Sequence, residues 1–129
     1  IMIDLATLTG ACVVALGEKM AGLFSKDKEL ASELQLSSEK SGDLAWELPL
    51  RDIYMDAMKG SISDLRNIAP SNYGAGATTA AVFLSHFVEN ARWAHLDIAG
   101  TAFISDDRHY LKKGGTGAGV RLLSYYLTQ

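Results

Sequence analysis

The chain has 129 residues, a length that fits one domain. Hydrophobic residues make up 48% and charged residues 21%, with a formal net charge of −3 and a pI near 5.5, so a packed core is expected and nucleic acid is disfavoured as a partner. The single cysteine, Cys12, excludes an internal disulfide, and no apolar run approaches the ~18 residues that cross a membrane.

Ile1 to Ala6 reads as a buried strand, apolar on both faces, as in a sheet covered by helices on both sides. The apolar start lacks a charged leader and is interrupted by Asp4, so no signal peptide is read there and a reducing, cytoplasmic setting is expected. Because the sequence opens inside an element, an upstream neighbour is expected to be missing. Thr9 is placed to cap a short helix over Gly10 to Leu16, closed by Gly17. Thr7 to Gly10 would then sit at the carboxyl end of a strand, where open α/β sheets gather ligands, with hydroxyls and free N–H groups at a helix mouth.

Met20 to Ser25 reads as a second strand. Lys26 to Lys40 reads as a helix with Leu30, Leu34 and Ser37 inward and Asp27 near its start; Ser41-Gly42-Asp43 ends it. Trp46 to Leu50 is extended, since Pro49 disfavours a helical Leu48. Arg51 to Met58 reads as a further helix closed by Gly60, and Ser61 to Ile68 as a weak strand or an irregular loop. Pro70 to Gly76 is rich in turn residues. Ala77 to Asn90 carries the clearest helical period, through Ala77, Ala80, Ala81, Leu84, Phe87 and Val88. Arg92 to Ile98 reads as a strand, Thr101 to Gly119 as a long loop, and Val120 to Leu127 as a final helix. Alternating strands and helices give an α/β class: a mixed β-sheet flanked by helices on both faces, in three layers.

Four groups of residues are chemical candidates. His95 and Asp97 are two apart on a strand and share a face; they could ligate a metal or could satisfy buried backbone groups. Gly114 to Gly119 before a helix resembles a phosphate cradle but fits neither nucleotide-binding glycine motif, so close packing is the competing explanation. Asp64 and Asn67 could be ligands or turn-capping residues. Cys12 has no base partner in the sequence and reads as a small buried helix residue. These residues by themselves make no complete catalytic constellation.

A resemblance adds to this. Asp4 to Ala11 is similar to the D-x-A-T-L-T-G-A segment of the leucyl aminopeptidase (cytosol aminopeptidase) family. Trp46 to Leu50 resembles its W-x-L-P-L, and Gly76 to Leu84 its glycine-then-T-A-A-x-F-L helix start. Trp93 to Ala102 resembles its W-x-H-L-D-I-A-G-T-A strand, and Lys113 to Leu123 its K-G-x-T-G-x-x-V-R-x-L close. The likeness implies release of N-terminal amino acids from peptides, leucine preferred, by two divalent metal ions (Zn or Mn) that activate a bridging water and polarise the carbonyl. It implies a homo-hexamer.

It also implies that Thr7, Leu8 and Gly10 line the substrate site and that Ala99 and Ala102 line the pocket for the N-terminal side chain. The family's metal ligands lie upstream of the D-x-A-T-L-T-G-A strand, as do its catalytic lysine and arginine. Its N-T-D-A-E-G-R signature is absent here. Residues 1–129 are therefore expected to be the C-terminal portion of a catalytic domain, with substrate-pocket residues, no catalytic residue and no metal ligand, inactive alone and partnered by the remainder of the polypeptide. An exposed sheet edge is expected where missing strands would pair.

Overall fold

The computed structural model describes residues 1–129. Its main sheet has the strand order β1 (Met2–Ala6), β4 (Trp93–Asp97), β2 (Ala21–Ser25) and β3 (Ala45–Glu47). β4 runs parallel to β1 and antiparallel to β2, and β2 runs parallel to β3, so the sheet is mixed. Helices α1 (Gly10–Leu16) and α3 (Gly76–Ser85) cover one face; α2 (Lys28–Ser41) and α4 (Val120–Leu127) cover the other. The three-layer α/β arrangement is the one expected.

Alternation along the strands divides the interior in two. Phe24 and Trp93 join Cys12, Ala81 and Val82 on the α1/α3 face. Leu23, Ala94 and Leu96 join Leu30, Leu34 and Leu122 on the other. β4 is buried at all five positions because it pairs on both edges and is covered on both faces. β1 is an edge strand with β4 as its one partner.

Local chemistry sets the helix ends. Thr9 Oγ1 accepts the Cys12 N–H at 3.0 Å, and Gly17 closes α1 at a positive φ of 71°. Asp27 accepts the Leu30 N–H at 2.9 Å to open α2, and Gly42 closes it at φ 71°. No helix is long and apolar enough to cross a membrane.

The helix expected over Arg51 to Met58 is present; it spans Asp52–Met58 and is wound as a 3-10 helix. Arg51, at its N-cap, makes no side-chain capping bond. Two other expectations are corrected. α3 stops at Ser85 rather than Asn90: His86, Phe87 and Val88 bond three residues back, tightening the chain, so the apolar spacing outlasts the helix. Thr101 to Gly119 is not structureless, because β5 (Phe103–Ile104) pairs antiparallel with β6 (Gly114–Gly115) and Arg108 bridges Leu111. Ser61 to Ile68 is irregular, tied back by the Arg66 N–H to the Met58 carbonyl at 2.8 Å.

Arg92 Nε donates to Asp27 at 2.6 Å, joining the start of α2 to the start of β4. The guanidinium and the Leu30 N–H hold the Asp27 carboxyl at about 2, below its ordinary 3.8. Folding thus favours the ionised form, and this contribution is present above pH ~4 and lost as pH falls towards ~2. Replacing Arg92 with methionine should flatten the stability profile across that window in urea titrations at stepped pH; a profile unchanged from wild type would refute the coupling.

Candidate functional site

The parallel pairing of β1 and β4 brings their carboxyl ends to one edge of the sheet. From there β1 turns through Thr7–Thr9 into α1, and β4 turns through Ile98–Ala102. A cleft of about 470 Å³ opens beside the first turn. Leu8, Thr9, Gly10 and Ala11 line it from one side of the chain; Asn67–Ser71, Gly74 and the start of α3 line it from the other, together with Met58. Of the anticipated substrate-site residues, Leu8 and Gly10 line this cleft. Thr7 is exposed beside it, and Ala99 and Ala102 are half-buried in the turn after β4, outside its wall. Asn67 lies on the cleft wall, whereas Asp64 does not. The wall from the Pro70–Gly76 loop was not anticipated as part of a site; its only sequence signal was the density of turn residues.

The two turns are bound together by one carboxylate. Asp97, fully buried, accepts the Leu8 N–H at 3.2 Å, the Thr9 N–H at 3.4 Å and the Ala99 N–H at 3.1 Å on Oδ1, and the Thr9 hydroxyl at 2.7 Å on Oδ2. The N–H groups of Leu8 and Thr9, expected to be free for a ligand, are therefore taken. Ile98 also donates to the Ala6 carbonyl at 2.9 Å, continuing the β1–β4 ladder.

His95 and Asp97 share a face, as their spacing required, but do not act as a pair. His95 Nδ1 lies 2.6 Å from Asp4 Oδ1, and Trp93 Nε1 donates to Asp4 Oδ2 at 2.6 Å. The imidazole is fully buried, flanked by the Phe24 and Trp93 rings, and its Nε2 has no partner. No three His, Cys, Asp or Glu side chains converge on a point that could hold a metal. His95 Nδ1 is committed to Asp4 and both Asp97 oxygens to the turns, and the one unpartnered donor, His95 Nε2, faces no further His, Cys, Asp or Glu cluster, so the residues present do not fit a metal ion.

The glycine-rich segment before α4 is filled internally. Asp43 Oδ2 accepts the Gly119 N–H at 2.8 Å, and Thr116 Oγ1 accepts the Ala118 N–H at 3.2 Å. A carboxylate thus stands where a phosphate would. Gly119 has φ 87°, a conformation side chains rarely adopt, and a Cβ there would also crowd Leu5 Cδ2 at 2.2 Å, so backbone conformation and packing against β1 account for it. Cys12 is buried on α1 as expected. Burial, and then the charge of Asp97, push its thiol up to about 11, which leaves it a poor nucleophile.

A family profile described as the cytosol aminopeptidase family, catalytic domain, matches residues 1–124. The chain belongs to the cytosol aminopeptidase family. Proteins named probable cytosol aminopeptidase are similar throughout: one from a Synechococcus strain is 50% identical across 95% of this chain, and one from Burkholderia mallei is 54% identical across 98%. A solved tomato leucine aminopeptidase mutant superposes with a TM-score of 0.87 over 97% of the chain at 41% identity. The chain spans 24% of the length of each of these relatives. The cytosol aminopeptidase segment seen here is thus a sheet edge with two tied turns and one cleft.

Gly100 fixes the second turn. A Cβ there would sit 2.2 Å from the Gly17 carbonyl oxygen, a backbone atom at the end of α1. Gly100→Ala should lower stability by about 1–3 kcal/mol through overpacking, read as a shifted urea midpoint; a midpoint within error of wild type would show that this close approach is not tight.

Proposed function

We propose that residues 1–129 are the C-terminal portion of the catalytic domain of a metal-dependent aminopeptidase that releases N-terminal amino acids, leucine preferred, from peptides. The observation that carries this reading is the cleft at the shared carboxyl edge of β1 and β4, lined by Leu8 and Gly10, in a chain of this family. Thr7, Leu8 and Gly10 bind the substrate through backbone groups. Ala99 and Ala102 leave volume for the N-terminal side chain, whose burial contributes on the order of 2 kcal/mol for leucine. The two divalent metal ions, zinc or manganese, are held by residues outside this chain. The intact protein is a cytoplasmic homo-hexamer, and residues 1–129 are inactive without the rest of the polypeptide.

Two measurements test this. The isolated chain, given Zn²⁺ or Mn²⁺ and leucine amide, should show no turnover; sustained hydrolysis would sink the division of labour. Gly10 supplies the second. A Cβ built there meets no atom within 4 Å, and its backbone is not left-handed. Gly10→Ala in the full-length protein should therefore change stability by no more than about 0.5 kcal/mol. The added methyl should nonetheless raise KM for leucine amide severalfold. An unchanged KM would remove Gly10 from the substrate site.

A further inference from the structure

Asp97 is a fully buried carboxylate with no cationic partner; its charge is met by three backbone N–H groups and one hydroxyl. Burying a charge in this way is costly unless every lone pair is used. Two of those N–H groups belong to consecutive residues, Leu8 and Thr9, in the turn that forms the cleft wall. All peptide bonds in the chain are trans. In a planar trans peptide the carbonyl points opposite to the N–H of the same unit. When the N–H groups of Leu8 and Thr9 point inward to Asp97, the carbonyls of Thr7 and Leu8 point outward. Neither carbonyl accepts a hydrogen bond within the chain. Thr7 is exposed and Leu8 lines the cleft.

We propose that Asp97 is a positioning residue for substrate: by holding the Leu8 and Thr9 N–H groups inward, it presents the Thr7 and Leu8 carbonyls as a pair of acceptors for the N–H donors of a bound peptide. The same Oδ1 holds Ala99, so the carboxylate also sets the spacing between this acceptor pair and the turn that carries Ala99 and Ala102. This inference rests on the aminopeptidase reading above. It differs from a purely structural role in what it predicts. Loss of the carboxylate should reach substrate affinity, not just the melting temperature.

The experiment uses the full-length, metal-loaded protein, with turnover of leucine amide by wild type as the control for the aminopeptidase reading itself. Asp97→Asn keeps an oxygen at that distance for the three N–H groups, whereas Asp97→Leu removes it and Asp97→Ser leaves only a hydroxyl set back toward the backbone. Assayed well below each variant's unfolding temperature, Asp97→Leu and Asp97→Ser should raise KM about tenfold or more with a much smaller change in kcat. Asp97→Asn should recover most of that affinity. Wild-type turnover together with an unchanged KM in whichever of the Leu and Ser variants folds would overturn the inference and leave the activity intact. If neither folds, amide exchange in the wild type decides: Leu8 and Thr9 should be protected although they lie in a turn, and free exchange at both would overturn it. No wild-type turnover would instead count against the aminopeptidase reading.

Discussion

The Asp97 carboxylate sits beneath the sheet edge with its two oxygens shared among Leu8, Thr9 and Ala99. Without it, the turn leaving β1 and the turn leaving β4 would be joined at this edge by little more than the last ladder bond from Ile98 to Ala6. With it, the Thr9 side chain is fixed as donor to Asp97 and acceptor for Cys12, so one residue both caps α1 and anchors the turn. Low surrounding polarity makes such a network strong when complete and costly when broken. The cleft wall therefore depends on a residue that is itself wholly out of solvent.

Close backbone approaches lock the elements around this point. Gly100 lets the turn after β4 rest against the end of α1, and Gly119 lets the start of α4 rest on Leu5 of β1. One contact lies on each face of the sheet. Together with the Asp27–Arg92 pair at the other end of β4, they hold the central strand at both ends. The Asp4–His95–Trp93 group adds a polar seam within the α1/α3 layer, where Asp4 on the edge strand satisfies two aromatic N–H donors of β4.

Family membership gives these features a context that the chain alone does not complete. The segment is a quarter of its relatives' length, and no metal-holding cluster forms among its own acids and histidines. Its contribution under the proposed reading is shape and hydrogen-bonding direction at the substrate, while the charge that drives hydrolysis belongs elsewhere.

Much of the fold was legible because local rules were obeyed. Apolar runs marked β1, β2 and β4, Thr9 and Asp27 marked helix starts, and Gly17 and Gly42 marked helix ends, since capping and positive-φ glycine turns are decided within a few residues. The same residues placed Leu8 and Gly10 at a strand's carboxyl edge. What failed was whatever depended on distant neighbours. The β5–β6 pairing is one case, since it joins two-residue strands across a long loop. The H-x-D motif illustrates the limit most clearly. Sequence spacing determined that His95 and Asp97 share one face of a strand; only the tertiary structure decided that His95 turns to Asp4 and Asp97 to the β1 turn. Those partners lie about ninety positions away in the chain, where periodicity carries no information and the folded pairing of parallel strands alone brings them within hydrogen-bond reach.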